Sequence, residues 1–258
     1  MTEVESTRRV VDGHGIRLVT AGSGPPLVYL HGLGDTGALL PVLAGLARTG
    51  TRTVIRPDHP GFLDSDPFAG DSVRELAAVH VALLGDLALG PVDLVGCSFG
   101  GWIAAEVALS APGSVRTLTL IDPAGLPGDG SAPNAFSTDP ALMLDLTVHD
   151  PARRAALRAT PPDERVARGL ARSRDTARRL AEDPYMCDPT LASRLASLRM
   201  PVQLFWGAED GVIPVGYALD WQRALPADTR VEIIDEAGHL PHVERPDEFL
   251  ARFAPVAV

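Results

Sequence analysis

Short apolar runs alternate with longer stretches in which apolar residues recur at helical spacing, and this alternation covers most of the 258-residue chain. Seven apolar runs predict β-strands, at 17–20, 26–30, 52–55, 92–95, 115–121, 202–206 and 231–234. Helical spacing predicts α-helices over 39–47, 73–87 and 102–109. Apolar strands separated by helices are typical of a mostly parallel sheet that helices cover on both faces. The pattern therefore predicts an α/β fold.

The alternation stops between about 122 and 198, where prolines are frequent and no convincing strand pattern occurs. We expect a helical insertion over 123–198, with residues 1–122 and 199–258 forming the α/β core. The middle of the insertion, 152–180, contains nine arginines. We favour the interpretation that they form the solvated face of amphipathic helices. The alternative is a lid whose basic patch steers an acidic substrate.

Composition narrows the class of partner. Hydrophobic residues make up 45% of the chain and the formal net charge is −10, which favours a globular protein and argues against nucleic acid or an anionic membrane as the main partner. The polar N-terminal sequence lacks an apolar signal region, and no apolar run approaches the roughly 20 residues of a membrane span. Two cysteines give neither a disulfide framework nor metal-binding spacing. We expect a cytoplasmic location and a small-molecule substrate; the oligomeric state stays open.

A tight glycine-flanked turn carries the first candidate for chemistry. The sequence "GCSFG" at 96–100 places Ser98 between a predicted strand end and a predicted helix start. A chain that turns this sharply crowds the residue at the apex, so the positions two before and two after it must be small. Both are glycine here. This G-x-S-x-G spacing is that of a nucleophile elbow, although glycine and serine are also common in ordinary turns.

A serine nucleophile needs a base and an acid that orients the base. His239 follows the predicted strand at 231–234, and that position lies at the carboxyl edge of a parallel sheet, as the elbow does. His242 is the weaker candidate, which we expect to pack or hydrogen-bond locally. Asp210 and Asp122 both follow strands at the same edge; we favour Asp210 and keep Asp122 as its rival.

Together these segments resemble the α/β-hydrolase superfamily, over nearly the full length of the chain. The matching motifs are "HGLG" at 31–34, "DHPGF" at 58–62, "GCSFGG" at 96–101, "WGAEDGVIP" at 206–214 and "GHLPHVE" at 238–244. The order serine, aspartate, histidine is the order that this superfamily uses. The resemblance implies an α/β-hydrolase fold whose helical cap is inserted after the sixth strand, over 123–198.

The resemblance also implies residue roles, with no cofactor and no metal. Ser98 would be the nucleophile, His239 the general base and acid, and Asp210 the carboxylate that orients the histidine. Backbone N–H groups of Leu33 and Phe99 would form the oxyanion hole. A serine rather than an aspartate at the elbow disfavours haloalkane dehalogenases and soluble epoxide hydrolases, whose chemistry begins with a carboxylate.

The substrate is predicted less closely. Apolar residues beside the elbow and in the cap are candidates for the substrate-binding surface, although each also suits a structural role: Trp102, Phe136, Met143, Tyr185 and Met186. A mostly apolar pocket favours a small, lipophilic ester, lactone or thioester. Hydrolases that cleave C–C bonds of meta-cleavage products are an alternative, which Cys97 and Leu240 weaken because that group typically carries asparagine and tryptophan there. A slow-turnover, ligand-sensing relative is a further alternative.

Overall fold

The computed structural model describes residues 3–253, and within that range eight strands form one sheet. The strands are β1 (Val4–Val11), β2 (His14–Gly22), β3 (Pro26–Leu30), β4 (Thr53–Pro57), β5 (Val92–Cys97), β6 (Val115–Ile121), β7 (Val202–Gly207) and β8 (Arg230–Ile234). Their order across the sheet is β1-β2-β4-β3-β5-β6-β7-β8. β2 runs antiparallel to β1 and to β4, and every other pairing is parallel. The predicted α/β sheet is confirmed.

Alternate side chains of the central strands enter two apolar layers. Val28 and Leu30 of β3 belong to one layer, whereas Leu27 and Tyr29 belong to the other. The helices are α1 (Pro41–Arg48), α2 (Val73–Leu87), α3 (Phe99–Ser110), α4 (Pro140–Thr147), α5 (Pro151–Ala159), α6 (Glu164–Ala181), α7 (Leu191–Leu195), α8 (Tyr217–Ala224), α9 (Pro241–Glu244) and α10 (Pro246–Arg252). Side chains of α2, α3 and α8 fill the first layer, and those of α1 and α10 fill the second. None of the described helices is long and apolar enough to cross a membrane.

The strand β1 has no counterpart among the predicted strands. It forms a hairpin with β2 through Asp12 and Gly13, whose φ values of 47° and 78° are the positive values that a type I′ turn requires. Seven of its eight residues are exposed. An edge strand with two wetted faces has no apolar alternation, so hydrophobic pattern alone misses it.

The chain between β6 and β7 contains α4, α5, α6 and α7, in agreement with the expected helical character of 123–198. Its division from the core as a separate cap stays a prediction. An isolated parallel bridge joins Gly125, near the start of this stretch, to Cys187, near its end. Arginines of α6 include Arg174 and Arg178, which are half-buried and donate to the carbonyl oxygen of Phe136. These two arginines are therefore only partly solvated, because part of each side chain packs within the protein.

Candidate active site

Ser98 occupies the turn between β5 and α3 in a backbone conformation that is rare for a residue with a side chain. Its φ is 55° and its ψ is −121°. The turn leaves no room for side chains on either side, because a Cβ at Gly100 would lie 2.5 Å from the carbonyl oxygen of His31, and one at Gly96 would lie 2.7 Å from Cβ of Ala104. Helix α3 begins at Phe99, three residues before the predicted start, because the turn leads directly into it.

Three buried side chains form a chain of hydrogen bonds at the carboxyl edge of the sheet. The Oγ of Ser98 lies 2.8 Å from Nε2 of His239, and Nδ1 of His239 lies 2.7 Å from Oδ2 of Asp210. Since an ionised carboxylate only accepts, the histidine donates from Nδ1 and is left with Nε2 to accept from the serine hydroxyl. The residues are 6–7% exposed, so bulk water competes little for these bonds.

The two aspartates that the sequence leaves as rivals have different partners. Asp210 holds His239 with one oxygen, and its other oxygen accepts the backbone N–H groups of Val212 at 2.7 Å and Ile213 at 2.9 Å. Asp122 accepts the backbone N–H of Gly207 at 2.9 Å. Asp210, rather than Asp122, is therefore the aspartate that accepts the hydrogen bond from His239.

Backbone hydrogen bonds connect the stretch between β6 and β7 to the loops that carry His239 and Asp210. The N–H of His239 donates to the carbonyl oxygen of Thr147 at 2.8 Å, and the N–H of Gly211, next to Asp210, donates to that of Leu146 at 3.1 Å. Both acceptors lie in the last turn of α4, where carbonyl groups lack partners within the helix. Hydrophobic pattern gives no sign of these bonds, because they use backbone atoms of residues far apart in the sequence.

The carboxylate of Glu244 makes a second connection between the same stretch and the loop that carries His239. One of its oxygens accepts the N–H of Gly238 at 2.8 Å, and the other accepts those of His149 and Asp150 at 2.9 and 3.0 Å. Gly238 immediately precedes His239. Glu244 thus joins the histidine loop to the start of α5, a role that its place in "GHLPHVE" did not reveal.

The loop after β3 lies against the elbow. A Cβ at Gly32 would lie 3.2 Å from Cβ of Ser98, so the backbone there approaches the serine closely. No hydrogen bond within residues 3–253 uses the N–H of Leu33 or of Phe99. Phe99 is the first residue of α3, whose N–H has no acceptor inside the helix. An oxyanion hole needs N–H groups without an acceptor in the protein, and its assignment to Leu33 and Phe99 stays a prediction.

Comparison with known proteins agrees with this architecture. Residues 27–252 match the model of the alpha/beta hydrolase family. The chain belongs to this family. It is 30% identical to the pimeloyl-[acyl-carrier protein] methyl ester esterase of Vibrio parahaemolyticus over 250 aligned residues. The alignment covers 90% of this chain and 93% of the relative. The protein is therefore a hydrolase.

Solved structures give the same fold. A 2-hydroxy-6-oxo-6-phenylhexa-2,4-dienoate hydrolase from Rhodococcus superimposes with a TM-score of 0.80 at 21% identity, covering 98% of both chains. Est816, described as an N-acyl homoserine lactone degrading enzyme, superimposes with a TM-score of 0.73 at 26% identity, covering 95% of this chain and 99% of that one. The likeness to the Rhodococcus enzyme shows the fold alone.

The predicted substrate-binding residues of this hydrolase have different surroundings. Trp102 is buried against Phe99, with ring centroids 6.0 Å apart. Phe136 and Tyr185 stack edge to face at 5.7 Å, and the Tyr185 hydroxyl donates to the carbonyl oxygen of Pro133 at 3.0 Å. These contacts fix their positions within the stretch that follows β6. Whether they touch a substrate stays a prediction.

The remaining two candidates also lie in that stretch. Met186 packs against the same apolar layer as Trp102, and its carbonyl oxygen accepts the N–H of Gly125 at 3.0 Å. Met143 lies on α4, half-buried, and belongs to neither of the two apolar layers. Of the predicted set, Trp102 is the residue that the structure joins directly to the elbow.

Three further histidines form a buried chain of hydrogen bonds behind the loop at 31–34. The N–H of His59 donates to Nε2 of His31 at 3.3 Å, and Nε2 of His59 donates to the carbonyl oxygen of His31 at 2.9 Å. Nδ1 of His59 lies 2.8 Å from Nε2 of His80. Burial, the largest cause, lowers the pKa of all three well below the usual value. Neutral rings with fixed tautomers therefore support this loop.

His242 packs locally, as expected from its position. Its Nε2 lies 3.0 Å from the hydroxyl of Tyr29, and burial lowers its pKa to about 3. No contact with Ser98 is present within the described chain, so the structure leaves His239 as the histidine that reaches the serine.

Donor atoms of Asp122, Asp210 and His239 lie within 4.8 Å of one another, which is close enough to suggest a cation site. Both nitrogens of His239 already take part in hydrogen bonds, one to Asp210 and one to Ser98. A cation at this point would have to break the bonds that orient the histidine. The donor set therefore fits a proton relay better than a metal site.

Proposed function

We propose that this hydrolase cleaves small, lipophilic carboxylic esters through an acyl-enzyme formed on Ser98. The observation that carries the proposal is the pair of hydrogen bonds, 2.8 and 2.7 Å long, that join Ser98 to His239 and His239 to Asp210. A serine hydroxyl is a weak nucleophile until a base removes its proton, and this arrangement supplies an oriented base.

In the first half of the reaction, Oγ of Ser98 attacks the ester carbonyl carbon while its proton passes to Nε2 of His239. The negative charge that develops on the carbonyl oxygen is stabilised by the N–H groups of Leu33 and Phe99. The charged imidazole is stabilised by Asp210 through Nδ1. The C–O bond then breaks, and the leaving alcohol takes the proton from His239.

In the second half, the same groups act on water. His239 removes a proton from a water molecule, whose oxygen attacks the acyl carbon. The second oxyanion occupies the same pair of N–H groups, and its collapse returns the proton from His239 to Ser98 and frees the carboxylic acid.

The ester class is supported from two directions. The Vibrio relative is a methyl ester esterase at 30% identity, and Est816 degrades a lactone, which is a cyclic ester. The apolar candidates Trp102, Phe136, Tyr185, Met143 and Met186 favour a lipophilic acyl or alcohol group. Positions 97 and 240 carry cysteine and leucine rather than the asparagine and tryptophan typical of C–C hydrolases.

Labelling tests the nucleophile directly. A fluorophosphonate probe is expected to label the native protein and the Ser110→Ala variant, whose exposed serine ends α3, and to leave Ser98→Ala unlabelled. Turnover is measured on a panel of p-nitrophenyl esters of increasing chain length, a lactone and a C–C substrate, with Ser98→Ala as blank. Labelling of Ser98→Ala would contradict the proposal. Fastest turnover of the C–C substrate, or labelling with no ester turnover, would overturn the ester assignment.

The proposal also fixes the direction of the pH dependence. The base must be neutral to accept the serine proton, so kcat/KM on a short p-nitrophenyl ester should fall in acid. A rate that stays flat from about pH 8 to about pH 5 would be incompatible with a histidine base, whose charge normally changes in that interval.

A further inference from the structure

A second buried carboxyl group lies beside the one that holds His239. Asp122 follows β6 and is fully buried, with a left-handed φ of 43° that is rare for a residue other than glycine. One ligand atom each of Asp122, Asp210 and His239 lies within 4.8 Å of the other two, so the two carboxyl groups are close neighbours. Two carboxylates this close in an apolar interior repel each other strongly if both are ionised.

Among residues 3–253, no positively charged side chain pairs with Asp122. Its Oδ1 accepts the N–H of Gly207 at 2.9 Å, whereas its buried Oδ2 has no donor within residues 3–253. No described arginine or histidine pairs with it within 4.0 Å. The titratable groups that face it are Asp210, Glu244, Cys97 and His239. Burial and the charge of Asp210 raise the pKa of Asp122 well above its usual value.

The hydrogen bonds also decide which of the two aspartates stays ionised. Asp210 accepts three donors, namely Nδ1 of His239 and the N–H groups of Val212 and Ile213. A carboxylate that accepts several N–H groups is held in its charged form. Asp122 accepts one. A proton shared between the two aspartates therefore resides on Asp122. Placed on Oδ2, the oxygen that has no hydrogen-bond partner, it makes that oxygen an O–H donor.

We propose that Asp122 is a positioning residue that carries a proton at neutral pH and donates it in a hydrogen bond to the Asp210 carboxylate. The proposal rests on the function proposed above. With Asp122 protonated, the two aspartates together carry one negative charge. That charge lies on Asp210, whose Oδ2 accepts the hydrogen bond from Nδ1 of His239. If Asp122 were ionised, a second charge near the imidazole would stabilise its protonated form and remove the base at neutral pH.

Two substitutions of Asp122 test whether the side chain acts as a hydrogen-bond donor to Asp210 or as a negative charge. Asp122→Ala removes the hydrogen bond to Asp210, and we expect kcat to fall by about tenfold with KM changed little, because bonds to charged groups are the strong ones. Asp122→Asn keeps the shape and an N–H donor, and should restore most of that loss. The acid limb of the kcat/KM profile should stay in place in Asp122→Asn, as in the control Glu209→Gln, which neutralises an exposed carboxylate beside Asp210.

An acid limb that moves down by about one unit or more in Asp122→Asn would show that the wild-type side chain is ionised, and would overturn the proposal. Equal kcat values for Asp122→Ala and Asp122→Asn would overturn its positioning role. Fluorophosphonate labelling of the same variants keeps the two proposals apart, because failure to label the native protein sinks the proposed function instead.

Infrared spectroscopy supplies a readout that needs no activity. The difference spectrum between native protein and Asp122→Asn at neutral pH should contain the carbonyl stretching band of a protonated carboxylic acid. A difference spectrum that contains only carboxylate bands would refute the proposal, even if Asp122→Ala fails to fold.

Discussion

The elbow and the stretch between β6 and β7 are held in place by different kinds of contact. Around the elbow the contacts are apolar and close, since all six residues of β5 are buried and α3 is buried from Phe99 to Ala108. Helix α6, with 18 residues, buries only Ser173, Ala177 and Ala181. Its remaining attachments are largely hydrogen bonds from arginine and threonine side chains to backbone carbonyl groups.

Those attachments join α6 to two separate loops. Arg174 and Arg178 donate to the carbonyl oxygen of Phe136, and Arg179 donates to that of Phe68 at 2.6 Å. Thr176 donates to the carbonyl oxygen of Gly61 at 2.9 Å. A hydrogen bond contributes only about 0.5–1.5 kcal/mol net, so an element held in this way can loosen without unfolding the sheet. The difference separates a tightly packed turn at Ser98 from a more loosely attached helix α6.

The largest expected effect comes from adding one methyl group at the elbow. In Gly100→Ala the new Cβ would overlap the carbonyl oxygens of Leu30 and His31, both part of rigid backbone. We expect more than about 4 kcal/mol of destabilisation, or no folded protein, because neither strand nor helix can move without breaking its own contacts. Urea unfolding measures the change.

Gly85→Ala is the matched control for that variant. Gly85 lies within α2, and a Cβ there meets no atom within 4 Å. Alanine at an open helical site should stabilise by about 0.5–1 kcal/mol. If Gly100→Ala unfolds at the same urea concentration as Gly85→Ala, the close packing assigned to the elbow is wrong.

The second effect is a loss of stability in acid from the buried histidines of the sheet core. Burial lowers the pKa of His31, His59 and His80 well below the usual value and that of His242 to about 3. The unfolded chain therefore binds more protons below about pH 6.5. The contribution of these histidines to the free energy of unfolding is fully present above about pH 6.5. It is lost as the pH falls, by up to about 1.4 kcal/mol per pH unit for each histidine.

A variant isolates one of these contributions. His242→Gln should reduce the slope of unfolding free energy against pH by about 1.4 kcal/mol per unit between about pH 5.5 and 4.5, where native His242 is still neutral. The exposed His149→Gln should leave the slope as it is. Equal slopes for all three proteins in urea titrations would mean that His242 is not held neutral.

The contrast between the two regions also explains what the sequence could predict. Apolar runs identify the segments that cross the core and so predict seven of the eight strands, and G-x-S-x-G predicts the turn at Ser98 because steric crowding is local. The same pattern does not predict the edge strand β1, because its exposed faces carry no apolar alternation. The spacing of residues in the chain did not reveal that Thr147 holds His239, or that Asp122 lies beside Asp210.

Arginine positions illustrate the same limit. Nine arginines over 152–180 predict a polar surface, and exposed members such as Arg168 fit that interpretation. Arg174 and Arg178 follow the same amphipathic pattern yet are half-buried on the carbonyl of Phe136. Since arginine is equally suited to water and to a carbonyl group, only the tertiary structure separates the two uses.

The smallest expected effect tests that attachment. Arg174→Met combined with Arg178→Met keeps most of the apolar stems and removes both donors to Phe136, which should cost about 1 kcal/mol overall. The loss should be local, with faster hydrogen exchange over 134–147 and unchanged exchange in β5. Arg168→Met, at a side chain that is 67% exposed and paired with Glu164, should alter neither. Equal acceleration in β5 would contradict the separation between the two regions, because it would mean that loosening this stretch also loosens the strand that leads to Ser98.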